Sequence, residues 1–435
     1  MQVQTKEESK MSIRPSTQKI QGTSQPKKTS SSSARRGVKE PNTRSETGGS
    51  RGKDSVALSK EANQPEGKEA EGRVGSLIAA LEAPEPKADS AGQEETGEPT
   101  FDEAVADSAQ AIQETAQSRL VDVNPEAQVA ILDSFGTEGN PGHGDAVEYV
   151  FQEATPETQP EVQRFQISPT GRPREHFFTA PGDASPEERL ESFVEHFTVD
   201  GLMQTNAALE SILTAPDSTI RTINQSQGIN PASVARVLQG QLYERGEDGS
   251  VTLTDAGRTI LDALGMEDTG PSQEQNIQFA ELATQRIEEI FQNNEAINHQ
   301  LERHNGFSEE LSERGVSYVV SAGNEATYGS VMGAELEGGF DDNLYSNPHN
   351  ITVGAVDQTT GEVADFSSDD PEVDFLAPGV DIKVGEEEGF VASGTSFAAP
   401  LIADQLDALR AENPDISQQE LRQLLEESLS GQFAE

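Results

Sequence analysis

Cysteine is absent from all 435 residues, which excludes a disulfide framework and any thiolate metal site and leaves the redox compartment open. No apolar run is long enough to cross a bilayer, so no membrane span is expected. The opening residues, Met1-Gln2-Val3-Gln4-Thr5-Lys6, lack the apolar centre of a signal peptide, which predicts a cytoplasmic protein or one exported without such a signal. Apolar residues are scarce at 33%, and aromatics scarcer at 5%. The deficit falls mainly on residues 1–115, a stretch rich in Ser, Thr, Gln, Glu, Pro and Gly whose one short apolar run is Val74 to Leu81. Such a segment buries too little apolar surface to offset the entropy of ordering, and disorder is expected there.

Positive charge is missing from most of the chain. Residues 1–60 hold 13 Lys and Arg against 5 Asp and Glu, and the other 375 hold 18 basic and 72 acidic residues, for net charges of +8 and −54. Beyond Lys87 the only lysine is Lys383. So acidic a body repels nucleic acid and anionic membranes, and neither is expected as a partner. The basic tail reads equally as a plain solvated segment or as a docking segment for the acidic body of the chain, an anionic surface, a chaperone or a secretion apparatus, the last in the manner of translocated bacterial effectors, with a bacterial origin. The expected organisation is a disordered tail over 1–115, basic over 1–60 and acidic over 61–115, followed by one α/β domain over 116–435.

What is present concentrates in short motifs. The run Val129-Ala130-Ile131-Leu132 has the pattern of a buried strand and stops at Asp133-Ser134-Phe135-Gly136, which puts Asp133 at the carboxyl end of a strand, where open α/β sheets place their sites. Ten residues on, Gly142-His143-Gly144 precedes Asp145-Ala146-Val147-Glu148-Tyr149-Val150-Phe151, whose apolar spacing suits a helix that starts near His143. Tyr318-Val319-Val320-Ser321-Ala322-Gly323-Asn324 is another strand running into a small-residue turn, with the Asn324 amide as a donor. Gly394-Thr395-Ser396-Phe397-Ala398-Ala399-Pro400 places Ser396 at a helix N-terminus, with Pro400 expected in the first turn, where its missing N–H has no consequence. A serine becomes nucleophilic when a base takes its proton, a third group orients that base and donors meet the developing oxyanion. Singly, Asp133 reads as a helix cap, His143 as part of a glycine turn and Asn324 as a left-handed turn residue. The Ser396 heptad is specific by itself.

In the order Asp, His, Asn, Ser, these motifs resemble the subtilisin-like serine proteases, or subtilases. The resemblance implies a three-layer α/β fold with a mostly parallel central sheet. It also implies a serine endopeptidase that cuts extended polypeptide through an acyl-enzyme on Ser396. Residue by residue, Asp133 would orient His143, His143 would be general base and then acid, and Asn324 with the Ser396 N–H would form the oxyanion hole. Thr222-Ile223-Asn224-Gln225-Ser226-Gln227-Gly228 is similar to the substrate-binding strand of the family, and Ser226, Gln227 and Gly228 with Ser321, Ala322 and Gly323 are the expected pocket walls. The pocket floor falls in the divergent stretch 329–343. Gln227, where the family has an apolar residue, suggests a polar subsite.

Three departures bear on that reading. Only ten residues separate Asp133 from His143, and the family's strong calcium site draws a ligand from the region missing here; the chemistry requires no cofactor, and a structural calcium is left without that ligand. Asp145 and Glu148 follow the histidine, and acidic neighbours would favour protonated His143 and shift activity to higher pH. An insertion at about 229–311 reads as largely helical, with helices expected over Ala232 to Tyr243, Leu253 to Leu264 and Gln273 to Leu301 along one stripe. Within it, Glu244 to Asp255 is loosely similar to a calcium loop and Leu253-Thr254-Asp255-Ala256-Gly257 to a winged-helix turn; the preferred reading of the insertion is a lid or exosite beside the cleft. The rival functional readings are a peptide-binding pseudoprotease with spoiled Asp–His geometry and a translocated effector with one target.

Overall fold

The computed structural model describes residues 121–432, apart from 138–139, 155–159, 168–183, 247, 337, 369–370 and 387–389. The tail over 1–115, with Val74 to Leu81, lies outside the described residues. Six parallel strands form one sheet: β1 (Val129–Asp133), β2 (Val162–Gln166), β3 (Thr222–Gln225), β4 (Ser317–Ser321), β5 (Ile351–Val356) and β6 (Val373–Pro378), in the order β2-β1-β3-β4-β5-β6. Helices cover both faces, which explains why the central strands are apolar runs rather than alternating ones. Val129, Ile131 and Val319 point to the layer of α1 (His143–Ala154), packing with Val147, Phe151, Phe397, Ile402 and Leu425. Ala130, Leu132, Tyr318 and Val320 point to the opposite layer, with Phe193, Leu202, Phe279 and Ile287.

The chain runs from β1 through α1 to β2 on one side, then through α2 (Pro186–Thr214) across to β3 on the other, and continues outward to β6. The direction of winding therefore reverses between β1 and β3. In a parallel sheet such a switch point opens a crevice at the carboxyl ends of the two strands, and here those ends are Asp133 and Gln225, with Ser226 next in the chain. The 29 residues of α2 carry no clean apolar stripe, because Thr198, Gln204, Thr205, Asn206 and Ser211 are buried along with its apolar residues.

Helices dominate the insertion, with corrections in detail. α3 (Pro231–Gln239) ends before Tyr243, which instead opens a hairpin of Tyr243–Arg245 with Val251–Leu253. The stretch likened to a calcium loop is that hairpin: Gly246 N donates to Ser250 O at 2.8 Å, and Gly249 takes φ +81° at the turn. α4 (Asp255–Ala263) follows, capped by Thr254, whose Oγ1 accepts from Gly257 N at 2.7 Å. The single stripe expected over 273–301 is cut in two at Asn294, whose backbone turns extended while its Oδ1 caps the next helix, giving α5 (Gln273–Asn293) and α6 (Glu295–Glu313). These helices pack with α2 into one apolar cluster through Phe279, Ile287, Ile290, Ile297 and Leu311. The insertion is thus built into the helical layer that α2 forms on one face of the sheet. Among the described residues, no helix is long and apolar enough to cross a membrane.

Candidate active site

Asp133 ends β1 fully buried, and its Oδ1 collects the donors around it: Ser134 N at 2.6 Å, His143 Nδ1 at 2.8 Å and Gln227 Nε2 at 3.1 Å. His143 is the first residue of α1 and keeps about a third of its side chain exposed. Two close approaches of backbone explain how ten residues suffice between them. A Cβ on Gly136 would lie 2.3 Å from Gly142 N, and one on Gly144 would lie 2.9 Å from both Asp133 Cβ and the Phe135 ring. Only glycine lets the loop fold back and the helix start this near the strand end. Asp145 closes the loop: its Oδ2 accepts from Gly136 N at 2.8 Å and Gly142 N at 2.7 Å, one from each arm.

Asp145 and Glu148 do not act on His143 as the sequence suggested. Arg164 on β2 pairs with Asp145 Oδ1 at 3.1 Å and Glu148 Oε2 at 2.6 Å, and lies 4.9 Å over the Phe135 ring. Burial lowers the proton affinity of His143, the charge of Asp133 and its hydrogen bond raise it, and the balance lies above the ordinary 6.5. The direction matches the expectation, and the cause is Asp133.

Ser396 is the second residue of α7 (Thr395–Glu412), only 8% exposed, and the neighbouring Phe397 ring sits 5.8 Å from the His143 ring. Asn324, just past β4, accepts from Thr395 N at 2.8 Å and Thr395 Oγ1 at 3.1 Å through Oδ1, which leaves Nδ2 as its donor next to Gly394, two residues before the serine. Glu325 fixes this turn from behind, its Oε2 accepting from Asn324 N at 2.8 Å and from Asn230 Nδ2 at 3.1 Å. Pro400 is the sixth residue of α7, not a first-turn residue, so its missing N–H does matter: it deprives Ser396 O of the usual donor four residues on. Ser226 Oγ supplies that donor instead, at 2.8 Å, while accepting from Asn224 Nδ2 at 3.0 Å.

The six pocket residues are divided by exposure. Gly228 is exposed and Gln227 and Gly323 are half-buried, whereas Ser226, Ser321 and Ala322 are buried. The Gln227 side chain, expected to make a polar subsite, reaches Asp133 instead. Asn343, at the end of the divergent stretch, ties the two walls together, with Oδ1 accepting from Ile229 N at 3.2 Å and Nδ2 donating to Ser321 O at 2.8 Å. Sequence reasoning missed Glu325, Asn343 and the roles of Asp145 and Ser226. None carries a local signature, since each acts on a partner distant in sequence or on the backbone.

The subtilase family model matches residues 200–434, a little over half of the chain, including Asn324 and Ser396. The chain belongs to the subtilase family. Asp133 and His143 precede the matched stretch of this subtilase, and the fold sets them against it, Asp133 on Gln227 and His143 by the Phe397 ring. Over 96 residues it is 38% identical to Proteinase T of Parengyodontium album, a match spanning 22% of this chain and 29% of that protein. Among solved structures it is similar to the prenylagaramide maturation protease PagA, at 16% identity over 72% of this chain and 86% of that one, with a TM-score of 0.32. A cold-adapted subtilisin-like serine proteinase aligns at 13% identity over 70% of this chain and 83% of that one, with a TM-score of 0.30.

Proposed function

We propose that this subtilase is a serine endopeptidase acting on extended or unfolded polypeptide. The observation that carries the reading is the 2.8 Å contact of His143 Nδ1 with the buried Asp133 carboxylate, in a chain whose Ser396 follows the Thr395 that holds Asn324 by its Oδ1 and leaves Nδ2 as a donor. Asp133 holds the Nδ1–H tautomer, so that Nε2 is free to take the Ser396 proton. Ser396 Oγ attacks the scissile carbonyl, and the oxyanion is met by Asn324 Nδ2 and the Ser396 N–H, with the positive end of α7 behind them. His143 then returns its proton to the leaving amine, and water repeats the sequence on the acyl-enzyme. The substrate backbone pairs with the segment at Ser226 to Gly228, opposite Ser321 to Gly323.

The chemistry needs no cofactor on this reading. Bracing of the Asp133–His143 loop falls to Asp145 and Arg164, where the resemblance would have supplied a calcium-bearing segment. The pseudoprotease reading rests on a loop too short for good geometry, and the 2.8 Å contact of His143 with Asp133 speaks against that ground. Hydrolysis of an unfolded protein substrate tests the proposal. Substitution Ser396→Ala or His143→Ala should reduce kcat by about 10⁴-fold or more, and turnover undiminished in Ser396→Ala would overturn it.

A further inference from the structure

The end of β3 touches both halves of the catalytic apparatus. Ser226 Oγ donates to Ser396 O, and the next residue, Gln227, donates from Nε2 to Asp133 Oδ1. Besides His143, Gln227 is the only donor to the Asp133 carboxylate among the described residues that comes from outside the adjacent Ser134. Asp133 Oδ2 is buried without a partner, so all orientation of this carboxylate is exerted through Oδ1. The torsion that turns a carboxylate is broad and poorly self-determined. Its plane is therefore set by the donors it finds.

We propose that Gln227 is a positioning residue of the catalytic apparatus: its amide aims the Asp133 carboxylate at His143 and ties it to the segment that pairs with substrate. The inference rests on the serine-peptidase reading. It has a consequence a purely structural contact lacks. An oxygen with about two lone pairs serves three close donors here, so Gln227 competes with His143 for the same charge. Without the amide, more of that charge falls on the His143 N–H, and the imidazole holds its proton to a higher pH. The other charged groups on the packed elements leave this effect readable: Asp145 and Glu148 on α1 are paired with Arg164 on β2, and α7 contributes the Phe397 ring.

Gln227→Met keeps the length of the side chain and removes the donor; Gln227→Leu is a second apolar replacement. The rate of Ser396 labelling by a fluorophosphonate, followed against pH, should show its acid limb moved up by about half to one pH unit. The plateau rate should fall by about tenfold from loss of aim. With two peptides that differ beside the scissile bond, kcat/KM should fall by the same factor for both. An unmoved acid limb with a KM change confined to one peptide would make Gln227 a substrate subsite and overturn the proposal. A second arm needs no catalysis: NMR titration of His143 in Ser396→Ala protein, with and without Gln227→Met. Equal titration of the two folded proteins also refutes the positioning role. Failure of the wild-type protein to label at all is a different result, and counts against the peptidase reading instead.

Discussion

Pro400 and Ser226 form a compensated defect at the nucleophile, and a double-mutant cycle measures it. The proline leaves the buried Ser396 carbonyl without its helical donor, and the Ser226 hydroxyl, itself buried, fills the place at 2.8 Å. Substitution Ser226→Ala strands that carbonyl, at a cost of about 1–3 kcal/mol for an unpaired buried acceptor. With Pro400→Ala present, the N–H of residue 400 returns to the helix and bonds Ser396 O, so Ser226→Ala costs less. Loss of the Asn224 amide contact occurs in both backgrounds and cancels. The expected coupling is about 1–2 kcal/mol, with the pair less harmful together than the single costs imply. Urea unfolding of the four proteins, all carrying Ser396→Ala to prevent self-digestion, gives the four free energies. A Ser226→Ala cost equal in the two backgrounds within about 0.5 kcal/mol would refute the reasoning.

Four further outcomes follow from the same geometry. Because His143 must be neutral to act as a base and Asp133 raises its proton affinity, kcat/KM should fall on the acid side of a midpoint above 6.5; an acid limb at or below about pH 6 contradicts this. By linkage, the stability that the His143–Asp133 pair contributes is complete below pH 6.5 and is lost as pH rises through the folded value, which urea midpoints across pH 6–9 would follow, in about that range. Asp145→Ala removes the acceptor for Gly136 N and Gly142 N, and the loosened loop should lower kcat/KM by about 10- to 100-fold while the protein still unfolds cooperatively. Gly144→Ala puts a methyl 2.9 Å from Asp133 Cβ, so the start of α1 must move off the strand end; Ser396 labelling should slow by about tenfold or more, and an unchanged rate would show that the close approach is not needed.

Much of the fold was legible because a parallel sheet covered on both faces writes its strands as short apolar runs. Val129 to Leu132 and Tyr318 to Val320 are such runs, and the polar or small residues that end them mark the carboxyl edge where the site lies. The hidden parts share a physical cause. α2 buries five or more polar side chains, which blurs its periodicity, and the hairpin strands of three residues each are too short to show alternation. Asn294 looks like any helical surface residue until its Oδ1 is seen capping α6. At the site, residue types showed which groups carry chemistry, but not which hold them. Pro400 lies one turn further into α7 than the heptad suggests, because a start of helix cannot be fixed to the residue from pattern alone. Gln227 looks like a subsite residue in the sequence because the direction of a half-buried side chain past a strand end is set by a partner in another strand, here Asp133.

The claim that Asp133, His143, Asn324 and Ser396 form one working assembly is tested most directly by a fluorophosphonate probe, with mass spectrometry of the intact and digested chain. The account predicts one label per molecule, on Ser396, lost in Ser396→Ala and strongly slowed in His143→Ala. A folded protein that takes no label, or takes it elsewhere than Ser396, would contradict it.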